Sequence, residues 1–331
     1  MHEALKRIKI AKECNKSERD SLILQKRNVI MVRNRPNDML CRMSSNTEID
    51  RLRSYSSVFS RSVFSRLIKF DDFSAINRVG MAYDEDRISG KISYANYLDW
   101  MYLTLANQYR NEYVFKNALT NKIVSLNKGR NITVFNEFKV GDSIADIATF
   151  NGKSCVYEIK TELDSPKRLE SQQDSYFKFF QECYLVAPKE RVEDYLPYID
   201  DRMGVLAVNS NKGKVTFSKY RKAEHLTDNM DVDVLMRVLW ISEYESIVKQ
   251  YFGALPQVGY YEMYEVCKEL LRKIPVDTLS RMVVEIIKKR KRNDLIFDNA
   301  QKSLTQICLA LNINSRQYLR LCDNLNKTIT I

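Results

Sequence analysis

The sequence predicts an α/β chain, with a sheet-forming middle set between helical N-terminal and C-terminal regions. Three observations point there. Residues 132–160 alternate apolar and polar side chains in three short runs, parted by Val140-Gly141-Asp142 and Asn151-Gly152, the turn chemistry of successive hairpins. Residues 165–182 then change to helical spacing before two further apolar runs at 183–187 and 204–208. From residue 228 onward the apolar period is helical throughout. The expected division is a basic, mainly helical region over 1–95, an α/β core over 96–225 and a helical domain over 226–331.

Taken in order, helical period is present over 4–14 and 22–31, and the run from Arg33 through Pro36 to Asp38 breaks it. Residues 48–70 read as one helix with Leu52, Tyr55, Val58, Phe59, Val63, Leu67 and Ile68 on its apolar side. Arg51, Arg53, Arg61 and Arg66 give that helix either a DNA-facing or a plainly solvated surface. Residues 71–94 read as loop, and their acidic Asp84-Glu85-Asp86 is either a metal-binding or a solvated turn. Residues 94–126 are strongly helical and lead into strands over 132–140, 143–150 and 153–160. Ser165-Pro166 is a helix start, with serine as cap and proline in the first turn. That helix is expected to run to about residue 182. A short strand ending at 218 follows the turn at 211–214. Helices are then expected over 232–252, 260–273, 276–290, 300–311 and 315–325. The last two read as a helical hairpin or as a helix-turn-helix; in the second reading Arg316, Gln317 and Arg320 are the nucleic-acid-binding residues. The basic run 288–292 suits phosphate contact, and equally a solvated helix C-terminus.

The third strand carries the chemistry. Side chains alternate across a strand, so Glu158 and Lys160 share one face, with Cys155, Tyr157 and Ile159 on the other. A carboxylate and an ammonium on a covered strand are costly unless paired or bound to something. With the second strand antiparallel alongside, Asp146 reaches the same patch, and Glu137 lies nearby. Two carboxylates with water and phosphate suit a hard cation such as Mg²⁺ or Mn²⁺, and a lysine beside them can orient a water or offset charge on phosphate.

Asp146 followed by Glu158-Ile159-Lys160 at the end of the next strand resembles the PD-(D/E)xK nuclease superfamily. Gln172 and Tyr176 on the following helix resemble the Gln-x-x-x-Tyr motif of its exonuclease-like branch. The run Glu158-Ile159-Lys160-Thr161-Glu162-Leu163-Asp164, with Arg168-Leu169 and Gln172 behind it, is similar to an uncharacterised prokaryotic branch. The resemblance covers roughly residues 107–210 and departs from the usual motif in having Ala145 before Asp146. It implies a restriction-endonuclease-like core (helix, three-stranded meander, helix, strand) and an Mg²⁺-dependent deoxyribonuclease. Asp146 and Glu158 would be ligands, Glu137 a further ligand or a holder of a metal water, Lys160 the residue positioning the attacking water, and Gln172 and Tyr176 supporting groups or DNA contacts. Glu112, on the preceding helix, is a secondary candidate. The alternative is a nucleic-acid-binding module or partner scaffold with a silent nuclease fold. Phage defence, DNA repair and mobile-element roles all remain open.

Composition bounds the rest. The formal net charge is +11 over 331 residues, and it is uneven: +9 over residues 1–70, +6 over 281–331 and −4 between them. Basic flanks around a core that is not basic suit a polyanion, hence DNA as partner, with a protein partner conceivable through the N-terminal region. Seven cysteines without a CxxC pair read as reduced thiols in a cytoplasmic protein, and two histidines argue against His-based metal sites and triads. No apolar run approaches about 18 residues, so no membrane span is expected, and the basic N-terminus lacks an apolar signal core. Asn151-Gly152-Lys153-Ser154 ends like a P-loop, but Ile147 stands where its first glycine would be, which excludes ATP binding through that motif.

Overall fold

The computed structural model describes residues 38–330 apart from 128–131, 163, 212 and 291–293. The helices expected over 4–14 and 22–31 lie outside the described residues, as do the break at 33–37 and Leu163 of the long motif. The described part is mixed α/β, with one six-stranded sheet and helices toward both ends of the chain. Its described residues divide into two compact units, 38–109 with 295–330, and 110–294.

The first unit holds α1 (Asp38–Val58), α2 (Arg61–Phe70), α3 (Ser74–Tyr83), α4 (Glu85–Ile88) and α5 (Tyr94–Gln108). The single helix expected over 48–70 is two helices, because Ser60 takes extended backbone (φ −106, ψ 152) between them. The loop expected over 71–94 is largely helical. Gly80 serves α3 by close approach: a Cβ there would stand 2.8 Å from the Ile88 side chain. Asp84 is not a solvated turn residue. It is buried and accepts hydrogen bonds from the hydroxyls of Tyr55 at 2.8 Å and Tyr97 at 2.6 Å.

The second unit runs through α6 (Glu112–Leu126), β1 (Thr133–Val140), β2 (Ser143–Phe150), β3 (Ser154–Ile159), α7 (Leu169–Phe177), β4 (Glu182–Pro188), α8 (Val192–Tyr195), β5 (Gly204–Asn211) and β6 (Lys214–Arg221). It continues with α9 (Val232–Val238), α10 (Ile241–Phe252), α11 (Tyr260–Arg272) and α12 (Val276–Lys288). The chain then returns to the first unit with α13 (Asp294–Asn299), α14 (Thr305–Ala310) and α15 (Ser315–Leu325).

This regroups the division expected from sequence, for reasons of packing. Helices α9 to α12 belong with the sheet: Leu235, Ile247, Leu271, Val283 and Ile287 join Phe138, Phe150, Val156 and Leu185 in one apolar core. The last helices belong with the first ones. Asn324 Nδ2 donates to the Leu67 carbonyl at 2.9 Å, Gln301 Nε2 donates to the Ala95 carbonyl at 2.9 Å, and Ser93 bridges Thr328.

The six strands lie in sequence order. β1–β2, β2–β3 and β5–β6 are antiparallel, and β3–β4 and β4–β5 are parallel. Gly141, at φ 56, turns β1 into β2, and Gly152, at φ 70, sits in the loop 151–153 between β2 and β3. A parallel pair needs a crossover, which α7 supplies between β3 and β4. That helix stops at Phe177, short of the expected 182, and Phe179 and Phe180 follow it as fully buried residues. Asn229 Nδ2 donates to the carbonyls of Phe177 at 2.6 Å and Phe180 at 2.7 Å, satisfying the freed helix end. The helix expected over 232–252 breaks before Ile241, where Glu243 accepts from the Trp240 N–H at 2.8 Å and caps a new start.

Gly204 opens β5 in close contact. A Cβ on it would lie 2.5 Å from the Ala223 nitrogen and 2.5 Å from the Tyr184 ring. Gly204→Ala is therefore expected to destabilise this unit by about 1–3 kcal/mol, read as a shift in the urea midpoint. An unshifted midpoint would show that the contact relaxes freely.

Candidate active site

Backbone register gathers the site. Extending the Ile147–Tyr157 pairing by one step sets Asp146 of β2 across from Glu158 of β3. Directly opposed residues of an antiparallel pair share a face with Cβ atoms about 4.5–5.5 Å apart. Lys160 follows β3, and its N–H still donates to the Val186 carbonyl of β4 at 2.9 Å, which fixes where its side chain starts. Gln172 and Tyr176, four residues apart on α7, come down on the same carboxylate.

The bonds form a closed set around Glu158. Its Oε1 accepts from Lys160 Nζ at 2.7 Å and from Gln172 Nε2 at 2.7 Å, and its Oε2 accepts from the Tyr176 hydroxyl at 2.7 Å. Lys160 Nζ also donates to Gln172 Oε1 at 3.1 Å, closing a triangle. The Tyr176 hydroxyl also lies 3.2 Å from the Ile144 carbonyl of β2, tying the helix to the sheet. The Glu158 and Lys160 side chains are 4% and 7% exposed, so this ion pair is shielded from solvent.

Asp146 has different company. Its Oδ2 accepts from the Ile159 N–H at 2.7 Å, and its Oδ1 pairs with Lys116 Nζ at 2.8 Å. Lys116 stands on α6, is itself nearly buried, and pairs with Glu112 one turn earlier. Burial pushes the Asp146 carboxyl up to about 6, and the like charge of Glu158 adds to this against the opposing pull of Lys116. Lys116 is held above its usual value: burial alone would lower it, but the carboxylates of Asp146 and Glu112 outweigh that.

The sign of the Asp146 shift fixes a pH dependence. A carboxyl raised in the folded state contributes most stability below its unfolded value of 3.8 and loses that contribution as pH rises through about 6. The stability of the wild type relative to Asp146→Asn should therefore fall between pH 3 and pH 7 by about 3 kcal/mol. Urea titrations of both proteins across that range test it. A pH-independent difference would mean that Asp146 titrates normally.

The segment after the lysine is built as a rigid turn. Asp164 Oδ2 accepts from the Thr161 N–H and from Thr161 Oγ1, each at 2.7 Å. The Tyr195 hydroxyl lies 3.2 Å from the Thr161 carbonyl and 3.1 Å from that of Asp164, while Arg191 donates to the Glu162 carbonyl at 2.7 Å. The Glu162 carboxylate pairs with Arg110 at 2.7 Å.

Five of the residues singled out in the sequence thus meet: Asp146, Glu158, Lys160, Gln172 and Tyr176. Glu137 does not join them. Its register position faces Asp146, but it takes a left-handed backbone (φ 54) that interrupts the ladder, and its side chain is exposed. Among the described residues no three His, Cys, Asp or Glu side chains gather closely enough to hold a metal ion. Lys116 was not among the sequence candidates. In the sequence it is a lysine four residues after Glu112, the spacing of an ordinary helical ion pair.

The two carboxylates still fit a hard cation. Each carboxylate oxygen offers two lone pairs; Asp146 Oδ1, Asp146 Oδ2 and Glu158 Oε2 each accept one strong bond from the partners named above. Two carboxylates completed by water and phosphate are a common magnesium arrangement.

The three nucleic-acid candidates lie in the first unit. Arg316 is exposed at the start of α15. Gln317 closes a capping box with Asn314, accepting from its N–H at 3.0 Å while its own N–H donates to Asn314 Oδ1 at 2.9 Å. Arg320 is bidentate on Asp71, at 3.1 and 2.9 Å. Two of the three are therefore engaged within the protein. No helix among the described residues is long and apolar enough to cross a membrane. Cys155, Cys183, Cys267, Cys308 and Cys322 are free thiols.

A family model described as Bacteriophage P4 protein cII matches residues 105–311, a span that contains Lys116, Asp146, Glu158, Lys160, Gln172 and Tyr176. Protein cII of Enterobacteria phage P4 is 26% identical over 161 residues, which are 48% of this chain and 59% of that protein. The chain therefore spans less than two thirds of that relative's length. Among solved structures, a protein of unknown function from Silicibacter pomeroyi aligns with a TM-score of 0.27 and 12% identity, over 44% of this chain and 94% of its own.

Proposed function

The chain belongs to the bacteriophage P4 protein cII family, and for this member we propose a metal-dependent nuclease with a restriction-endonuclease-like core of the PD-(D/E)xK type. The observation that carries the reading is the convergence of Lys160, Gln172 and Tyr176 on the Glu158 carboxylate, with Asp146 opposite it on the neighbouring strand. The order α6, β1, β2, β3, α7, β4 supports it as well, because it follows the element order of that core. The substrate is DNA and the compartment cytoplasmic. The phage relative favours a role in mobile-element biology over repair or defence.

A magnesium or manganese ion on Asp146 and Glu158 would polarise the phosphate and acidify a bound water. The chain's own part follows from its bonds. Lys160 commits two of its three N–H donors, to Glu158 Oε1 and Gln172 Oε1, and the third can hold an attacking water or the charge developing on phosphate. Gln172 fixes the lysine and the carboxylate together, so neither turns away when substrate arrives. Tyr176 holds the second oxygen of Glu158 and thereby aims the carboxylate at Asp146.

A second reading is a nucleic-acid-binding module with a silent core, and Lys116 on Asp146 favours it, since an internal cation already neutralises that carboxylate. Plasmid, linear double-stranded and single-stranded DNA, each with Mg²⁺, Mn²⁺ or EDTA, separate the two. Cutting that needs metal supports the enzyme. No cutting of any substrate by a folded protein, with salt-sensitive DNA binding retained, removes it in favour of the module.

A further inference from the structure

We propose that Lys116 is the resident counter-cation of the acidic pair and that a divalent ion enters the site by displacing it. The inference rests on the metal-dependent reading above. Its geometry is specific. Of the two Asp146 oxygens, one is held by the backbone of β3, and Lys116 Nζ stands 2.8 Å from the other. Oδ1 is the oxygen not tied to the strand backbone, and a dication binding there meets the Lys116 ammonium as a like charge, so the two compete.

Lys116 is also built to leave. It spans from a buried site to an exposed partner: its side chain is 9% exposed, whereas that of Glu112 is 58% exposed. Glu112 lies one helical turn away, so the ammonium can release Asp146 and keep a carboxylate partner at the surface. The four-carbon stem of lysine allows such a swing, where a guanidinium fork would hold its carboxylate in two places.

Electrostatics supply the reason for exchange. Three carboxylates, Glu112, Asp146 and Glu158, face two ammoniums, Lys116 and Lys160, so one negative charge is left over. A dication meets the remaining demand. Without a metal the acidic pair is thereby kept stable by a charge from within the chain, at the expense of metal affinity.

Mn²⁺ binding to the full chain, followed at pH 8 by calorimetry and by the paramagnetic signal of free Mn²⁺, tests this without recourse to activity. Lys116→Met should bind Mn²⁺ at least about tenfold more tightly than wild type, and Lys116→Arg more weakly. Asp146→Asn should lose the site in either background. In melts without metal Lys116→Met should unfold earlier than wild type, and Mn²⁺ should restore more stability to it. Equal or weaker Mn²⁺ binding by a folded Lys116→Met, beside a wild type that binds, overturns the displacement and leaves the nuclease reading intact. Absence of Mn²⁺ binding in every variant overturns both. Should Lys116→Met not fold, Lys116→Gln and Lys116→Arg decide the matter: an arginine variant that binds Mn²⁺ as tightly as wild type sinks the proposal.

Discussion

Asp146→Asn should reduce metal-dependent DNA cleavage by at least about 1,000-fold while leaving the fold in place. The substitution keeps an oxygen to accept the Ile159 N–H, so the β2–β3 junction retains its bond. Lys116 retains Glu112. What disappears is one of two negative charges able to hold a dication. Lys160→Met should lose about 100- to 1,000-fold, the usual scale for removing one preorganised donor at developing charge. DNA binding measured without metal should change little in either variant, because neither side chain needs phosphate to be held where it is. Equal cleavage by wild type and Asp146→Asn would place the chemistry elsewhere.

The second large effect is on stability. Glu158→Ala removes the carboxylate that receives Lys160, Gln172 and Tyr176, all at 2.7 Å. It leaves an ammonium of 7% exposure without its counter-charge. Breaking a buried pair by deleting one partner costs about 3–5 kcal/mol, most of it the burden of the stranded charge. Glu158→Gln should cost clearly less, since an amide keeps the shape and can still accept from the lysine. The chain has two tryptophans, Trp100 in the first unit and Trp240 in the second. Urea unfolding followed by Trp240 fluorescence in a Trp100→Phe background therefore reads the unit concerned. Equal stability of the alanine and glutamine variants would mean that the network contributes nothing beyond filled space.

Much of this site was legible in the sequence because strands obey a period of two. Once 143–150 and 153–160 are read as a hairpin, Asp146 and Glu158 fall on one face without further assumption, and the four-residue spacing brings Gln172 and Tyr176 together in the same way. Four features were not legible, each for a physical reason. Glu137 has the right register, but a left-handed backbone at that residue re-aims it, and nothing in Asn-Glu-Phe announces a positive φ. Lys116 reads as a surface lysine in any helical period, because its burial depends on which face of α6 meets the sheet. The grouping of α13 to α15 with the N-terminal helices rests on long-range bonds such as Asn324 to Leu67, which no local pattern encodes. The helices within 71–94, a stretch that reads as loop in the sequence, were hidden by Gly80, whose role is room for Ile88 rather than a turn.

The loop 151–153 acts as the ruler of the site, although it lies at the far end of both strands. Four residues of β2 and four of β3 separate it from Asp146 and Glu158, about 13 Å of extended chain. A one-residue slip of β3 against β2 would carry Glu158 to the opposite face of the sheet and put Tyr157 or Ile159 in its place. Single-residue insertions or deletions in this hairpin would thus erase the acidic pair while changing none of its members. Length at 151–153 is therefore a coding constraint as strict as the identity of the two acids, and relatives that keep both acids but alter that length would carry the letters of the motif without its geometry.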